Sequence, residues 1–131
     1  MKRVITFGTF DLFHIGHLNI IQRSAALGDA LIVGVSSDEL NFNKKGFYPL
    51  YPIKNRMAII SALKTVKSVF IEESMDLKRE YIISNHANVL VMGDDWAGTF
   101  DDLNDICEVV YLPRTDDIST TAIKERIRYP L

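Results

Sequence analysis

Apolar residues fall along the chain in short blocks whose period switches repeatedly between a continuous run and a helical stripe. Residues 4–7 form a short apolar run that ends at Gly8, which predicts a first strand. From Ile15 the spacing changes: Leu18, Ile21, Ala25 and Leu27 recur at helical intervals and stop at Gly28. Residues 30–35 are again continuously apolar, the pattern of a strand covered on both faces. Residues 41–52, rich in Lys, Gly, Pro and aromatics, predict a loop. A helical stripe returns over 53–63, with Pro52 near its start. Strands are predicted at 66–71, at 89–92 before Gly93 and at 109–112 before Pro113, and helices over 77–85 and 120–128.

This alternation predicts an α/β fold: a doubly wound, mainly parallel five-stranded sheet with helices on both faces. In such sheets ligands bind beyond the carboxyl ends of the strands, where the strand order reverses. The 131 residues, 47% of them hydrophobic and 24% charged, suit one folded domain spanning 1–131. A net charge of −2 argues against broad binding to nucleic acid or to an anionic membrane. The lone Cys107 excludes a disulfide framework and any multi-cysteine zinc site. No apolar run approaches the roughly 20 residues that span a bilayer, so membrane insertion is not expected. The first residues read as a strand and not as a secretory leader, and the expected location is cytoplasmic.

The segments after the strands carry the chemistry. After the first come Gly8, Thr9, Phe10 and Asp11, then His14-Ile15-Gly16-His17. The two histidines are three apart at a helix start and share a face. Free N–H groups there attract phosphate, and imidazoles beside them can donate to a phosphate that gains charge during reaction. Ordinary capping is the plain alternative, and a histidine metal pair a weaker one. After the last strand come Arg114, Thr115, Asp116, Asp117, Ile118, Ser119, Thr120 and Thr121. Arg114 offers a forked donor for phosphate oxygens, and the hydroxyls either cap a helix or complete a second phosphate cradle. Asp94 and Asp95, after the fourth strand, suit a metal, a substrate hydroxyl or simply a turn. Lys44, Lys45, Arg56 and Lys78 read as surface cations unless the fold gathers them at the site.

Taken together, these segments resemble the HxGH nucleotidyltransferases, and within them the small cytidylyltransferases. The likeness covers nearly the whole chain and rests on residues 8–11 with 14–17, on 92–96, on 111–115 and on 118–121. It implies a Rossmann-like fold and transfer of CMP from CTP to a phosphorylated alcohol, foremost sn-glycerol 3-phosphate, giving CDP-glycerol and pyrophosphate. It implies His14, His17, Lys44 and Arg114 as catalytic groups. The nucleotide would be held by Gly8 to Asp11, His14 to His17, Lys45, Arg56, Asp95 and Arg114 to Thr121. Lys44 and Lys78 would meet the acceptor phosphate. It further implies Mg²⁺ entering with CTP, a homodimer, and a product feeding a teichoic-acid-like wall or capsule polymer. Three positions depart from the family pattern: Asp117 where glycine is usual, Lys64 for an arginine, and Met75 for an aromatic. Other acceptors (ribitol 5-phosphate, phosphoethanolamine, phosphocholine), an adenylyltransferase of the same superfamily and a non-catalytic nucleotide-binding module remain as alternatives.

Overall fold

The computed structural model describes residues 1–116 and 118–130. The expectations for Asp117 lie outside the described residues. Ten regular elements follow the chain: β1 (Arg3–Gly8), α1 (Ile15–Ala25), β2 (Ala30–Ser36), α2 (Asp38–Lys45), α3 (Ile53–Ser61), β3 (Val66–Glu72), α4 (Lys78–Ser84), β4 (Val89–Gly93), β5 (Glu108–Leu112) and α5 (Thr120–Arg128). Short 3₁₀ turns occupy Met75–Leu77, Asp94–Trp96 and Asp101–Asp105.

The five strands form one sheet in the order β3-β2-β1-β4-β5. Every pairing is parallel, so the expected mainly parallel sheet is wholly parallel. Alternation along the strands sorts side chains into two cores. Val4, Leu31, Val33 and Val91 face a layer closed by Ile21 of α1 and Ile60 of α3. Ile5, Phe7, Ile32 and Leu90 face the opposite layer, closed by Ile82 of α4 and by Phe100 and Leu103. Helices therefore cover both faces, as the continuous apolar runs require. Thr6, the one hydroxyl buried inside β1, is satisfied by donating to the Val91 carbonyl at 2.7 Å.

The chain leaves β1 for β2 on one side and later returns to β4 on the other, so the switch in strand order lies beside β1. Residues 9–17, which leave the carboxyl end of β1, thus enter the crevice where this architecture binds ligands.

One expected element is corrected. The predicted loop over 41–52 begins as helix, because Asn41 to Lys45 belong to α2. Only Leu40 and Asn41 of that helix are buried, so no apolar stripe marks it. Its ends specify it instead. The Ser37 hydroxyl accepts the Leu40 N–H at 3.0 Å, and Gly46 stops the helix at φ 80°. Asp38 and Glu39 in the first turn and Lys44 and Lys45 in the last complement the helix dipole.

Candidate active site

The segment leaving β1 is strained. Phe10 and Leu12 take left-handed backbone angles, φ 55° and φ 49°. Such angles cost a non-glycine residue roughly 1 kcal/mol or more each and persist only where the surroundings fix them. Here the Phe10 ring is buried 5.5 Å from the His17 ring, and Asp11 between the two residues is pinned by its carboxylate.

The two histidines cap α1 reciprocally. His14 Nδ1 accepts the Gly16 N–H at 3.0 Å, and His17 Nδ1 accepts the His14 N–H at 3.2 Å. Imidazoles thus fill the places usually taken by a serine and a glutamate. The consequence is chemical: with both Nδ1 lone pairs occupied, a neutral ring must carry its proton on Nε2. The rings stack with centroids 3.7 Å apart. Burial, then the neighbouring His14, push the His17 pKa down to about 4. Burial and the Arg114 charge also lower that of His14. Both rings are therefore neutral N–H donors near neutral pH. Gly16 is required between them, because a Cβ there would lie 2.8 Å from the His14 ring and 3.3 Å from Ile118.

These histidines open onto a cavity of about 360 Å³ beyond the carboxyl ends of β1 and β4. Gly8, Thr9, Phe10, Asp11, His14, Gly16 and His17 line it from the β1 side. Arg114, Thr115, Ile118, Ser119, Thr120 and Thr121 line it from the start of α5, and Lys45 and Asp95 line it as well. Two helix N-termini, α1 and α5, thus meet at one cavity. The α5 hydroxyls are divided in role. Ser119 Oγ accepts the Ala122 N–H at 3.0 Å as a cap, and Thr120 Oγ1 donates to the Asp11 carbonyl at 2.8 Å. Asn19 of α1 donates to Thr115 Oγ1 at 2.9 Å and fixes the Arg114 segment to the first helix. Arg114 donates to Asp95 at 2.9 Å, with both side chains more than half exposed. Exposed pairs of this kind are worth about 1 kcal/mol or less, so Arg114 can change partner at little cost.

Several expected site residues are placed otherwise. Ile15 points outward at the helix start and is exposed, and Asp116 is exposed outside the cavity. Asp11 lines the cavity, but both carboxylate oxygens are taken by the backbone N–H groups of Leu50 and Tyr51, at 2.7 and 2.9 Å. Arg56 is wholly buried and is no surface cation. Its guanidinium donates to the carbonyls of Tyr51 (2.9 Å), Thr9 (2.9 Å) and Ser36 (2.8 Å) and to Asp38 (2.6 Å). It stitches the ends of β1 and β2 to the segment before α3. Lys78 is buried too, 2.6 Å from the Glu72 carboxylate and 4.2 Å from the centre of the Phe7 ring. Glu72 also accepts the Ser36 hydroxyl at 3.1 Å. Lys44 lies outside the cavity at the end of α2. Partial desolvation lowers its pKa, and the charge of Glu72 opposes that shift. Sequence reasoning missed Glu72, Asn41, Phe47 and Lys124. The last three line the cavity, and a polar residue placed one helical turn past a phosphate-cradle motif is the signal that points to Lys124.

Among the described residues no three or more His, Cys, Asp or Glu gather as a metal cage. No described helix is long and apolar enough to cross a membrane.

A parallel doubly wound sheet with two helix starts at its switch point defines a nucleotide-type pocket on a Rossmann-like fold. The chain belongs to the cytidylyltransferase-like family, whose model matches residues 5–126. It is 50% identical to the glycerol-3-phosphate cytidylyltransferase of Bacillus subtilis (strain 168), over 97% of this chain and 98% of the relative. It is 43% identical to the enzyme of that name from Staphylococcus aureus (strain NCTC 8325 / PS 47), over 97% of this chain and 96% of the relative. Among solved structures, a lipopolysaccharide core biosynthesis protein from Thermoplasma volcanium GSS1 superposes with a TM-score of 0.75. It is 27% identical, over 88% of this chain and 99% of that one.

Proposed function

We propose that this chain is a glycerol-3-phosphate cytidylyltransferase, one catalytic domain that converts CTP and sn-glycerol 3-phosphate to CDP-glycerol and pyrophosphate. The observation that carries the reaction class is the histidine pair, whose Nδ1 atoms are both spent on the α1 backbone while α5 and Arg114 face them across one cavity. The acceptor is supported by the named relatives and by their near-complete coverage of the chain.

An oxygen of the acceptor phosphate attacks the α-phosphorus of CTP, and the bond from that phosphorus to the β-phosphate oxygen breaks. The attacking oxygen is already anionic near neutral pH, so the step asks for no general base. Charge builds on the α-phosphate oxygens and on the departing pyrophosphate, where positioned donors and cations lower the barrier. In this reading His14 and His17 donate from Nε2. Arg114 leaves Asp95 for a phosphate, and Lys45 and the N–H groups of α5 meet the outer phosphates. Lys44 meets the acceptor phosphate. Lys78, already paired with Glu72, shapes the acceptor side. Thr9, Ile118 and Thr121 shape the nucleotide wall.

The donor set bears on Mg²⁺. Histidines and cations dominate the cavity and Asp95 is the carboxylate with a freely exchangeable partner, so the ion fits as a passenger on the triphosphate with Asp95 beside it. When bound, Mg²⁺ offsets phosphate charge. A homodimer, a cytoplasmic location and supply of a teichoic-acid-like or capsule polymer belong to the same proposal.

The test is a panel of phosphorylated alcohols with pyrophosphate release as readout, each offered with CTP and with ATP. Glycerol 3-phosphate with CTP is expected to turn over fastest. Preference for ribitol 5-phosphate, phosphoethanolamine or phosphocholine would change the acceptor. Preference for ATP would change the class, and no turnover with any pair would leave a nucleotide-binding module.

A further inference from the structure

A carboxylate stands in the wall of a cavity otherwise furnished for anions. Asp11 is buried, and it lines the cavity with the histidine pair and Lys45, its charge reaching both His17 and Lys45. Burial and neighbouring cations lower the pKa of Lys45, and Asp11 is the group that pulls it back up. The structure meets this negative charge with backbone donors. Leu50 N–H reaches Oδ2 at 2.7 Å, Tyr51 N–H reaches Oδ1 at 2.9 Å, and Leu12 N–H reaches Oδ1 at 3.1 Å. Pro49 and Pro52 bracket the two donors from the distant segment, restricting the backbone that presents them. The Asp11 carbonyl meanwhile accepts the Thr120 hydroxyl from α5. One residue therefore joins three walls of the cavity: the end of β1, the start of α5, and the segment 46–52 that follows Lys45.

We propose that Asp11 is a positioning residue for the reaction and not a contact to the nucleotide: it docks segment 46–52 on the end of β1 and so sets Lys45 and Phe47 at the phosphate cavity. This rests on the reading of that cavity as the CTP site. The charge makes the docking selective. With the segment docked, three N–H groups meet the carboxylate. With the segment lifted, the carboxylate keeps only the Leu12 N–H and faces a polyanion. Docking and triphosphate binding therefore favour one another, and the coupling is reciprocal.

The experiment combines amide hydrogen exchange with a double-mutant cycle. In Asp11→Ala, the Leu50 and Tyr51 amides are expected to exchange at least about tenfold faster, while the Val33 amide of the central sheet keeps its protection. CTP should slow exchange at Leu50 and Tyr51 in the wild type and not in the variant. The KM for CTP should rise about tenfold or more, and Lys45→Ala should add little to it in the Asp11→Ala background, a non-additivity that general destabilisation does not produce. Asp11→Asn keeps one acceptor oxygen and should fall between wild type and Asp11→Ala. It carries the same test should Asp11→Ala lose protection at Val33. Unchanged exchange at Leu50 and Tyr51, or additive effects of the two substitutions, would overturn the proposal. Exchange needs no turnover. A wild type that binds no CTP would therefore refute the functional reading, while the exchange rates would still decide the role of Asp11.

Discussion

The cations of this protein fall into two groups that residue type does not separate. Arg56 and Lys78 lie inside, each matched to partners within the chain: Asp38 and three carbonyls for Arg56, Glu72 for Lys78. Lys45 and Arg114 stand at the cavity, and Arg114 holds only an exposed carboxylate. An ion pair taken out of water has spent its attraction on its own desolvation, and removing either member strands the other. An exposed pair has spent little and can trade partners. The inner cations thus hold the frame of the site, and the outer ones remain available to a polyanionic ligand.

Removing an inner cation should have the largest effect. Losing one member of a buried ion pair costs about 3–5 kcal/mol. Arg56→Ala should fall at the upper end, because three carbonyls and Asp38 lose a donor together. Lys78→Ala should fall at the lower end. Lys78→Ala should also raise the KM for the acceptor, and the double variant Lys78→Met with Glu72→Gln should recover most of the stability while that KM stays raised. Denaturant midpoints and steady-state kinetics on the three proteins check both statements. An Arg56→Ala protein of wild-type stability would erase the distinction between the two groups.

Next in size is the histidine pair. Losing a positioned donor to developing charge costs roughly 10²-fold or more in rate. His17→Ala should lower kcat by that order and affect KM for CTP less. Near-full kcat would leave His17 as a cap and nothing more.

The outer cation gives a smaller and opposite signature. Arg114→Ala should change stability by no more than about 0.5 kcal/mol, as for other exposed positions. It should raise the KM for CTP about tenfold, equivalent to about 1.4 kcal/mol. A large stability loss would move Arg114 into the inner group.

The histidine pair also leaves a signature in pH. His17, held near pKa 4 in the fold against 6.5 when free, binds fewer protons folded than unfolded between those values. Its contribution to stability is therefore present in full above about pH 6.5 and declines as the pH falls toward 4. Thermal midpoints of wild type and His17→Gln across that range should converge as the pH drops. For the same reason the turnover rate should not fall as the pH rises through the ordinary histidine range, since the donor is the neutral ring.

What the sequence disclosed and what it hid follow one physical line. The strands were legible because both faces of the sheet are covered, leaving continuous runs such as Ala30–Ser36. The histidine pair was legible because its members cap one helix turn and lie three residues apart. Helix α2 was not, because its caps define it and no apolar stripe does. The work of Asp11 was hidden because its carboxylate meets donors 39 and 40 residues away. The burial of Arg56 and Lys78 was hidden for a related reason: Asp38 and Glu72 sit on other elements, and only the assembled sheet brings them together.

In the proposed reaction the fold presents two neutral imidazoles, protonated at Nε2, to the nucleotide phosphates. Nitrogen-15 NMR of the side chains of His14 and His17 near neutral pH, without and with CTP, tests it directly. Unprotonated Nδ1 and protonated Nε2 are expected in both rings, with the Nε2–H signals shifting on addition of CTP. An imidazolium in either ring, a proton on Nδ1, or Nε2–H signals indifferent to CTP would contradict it.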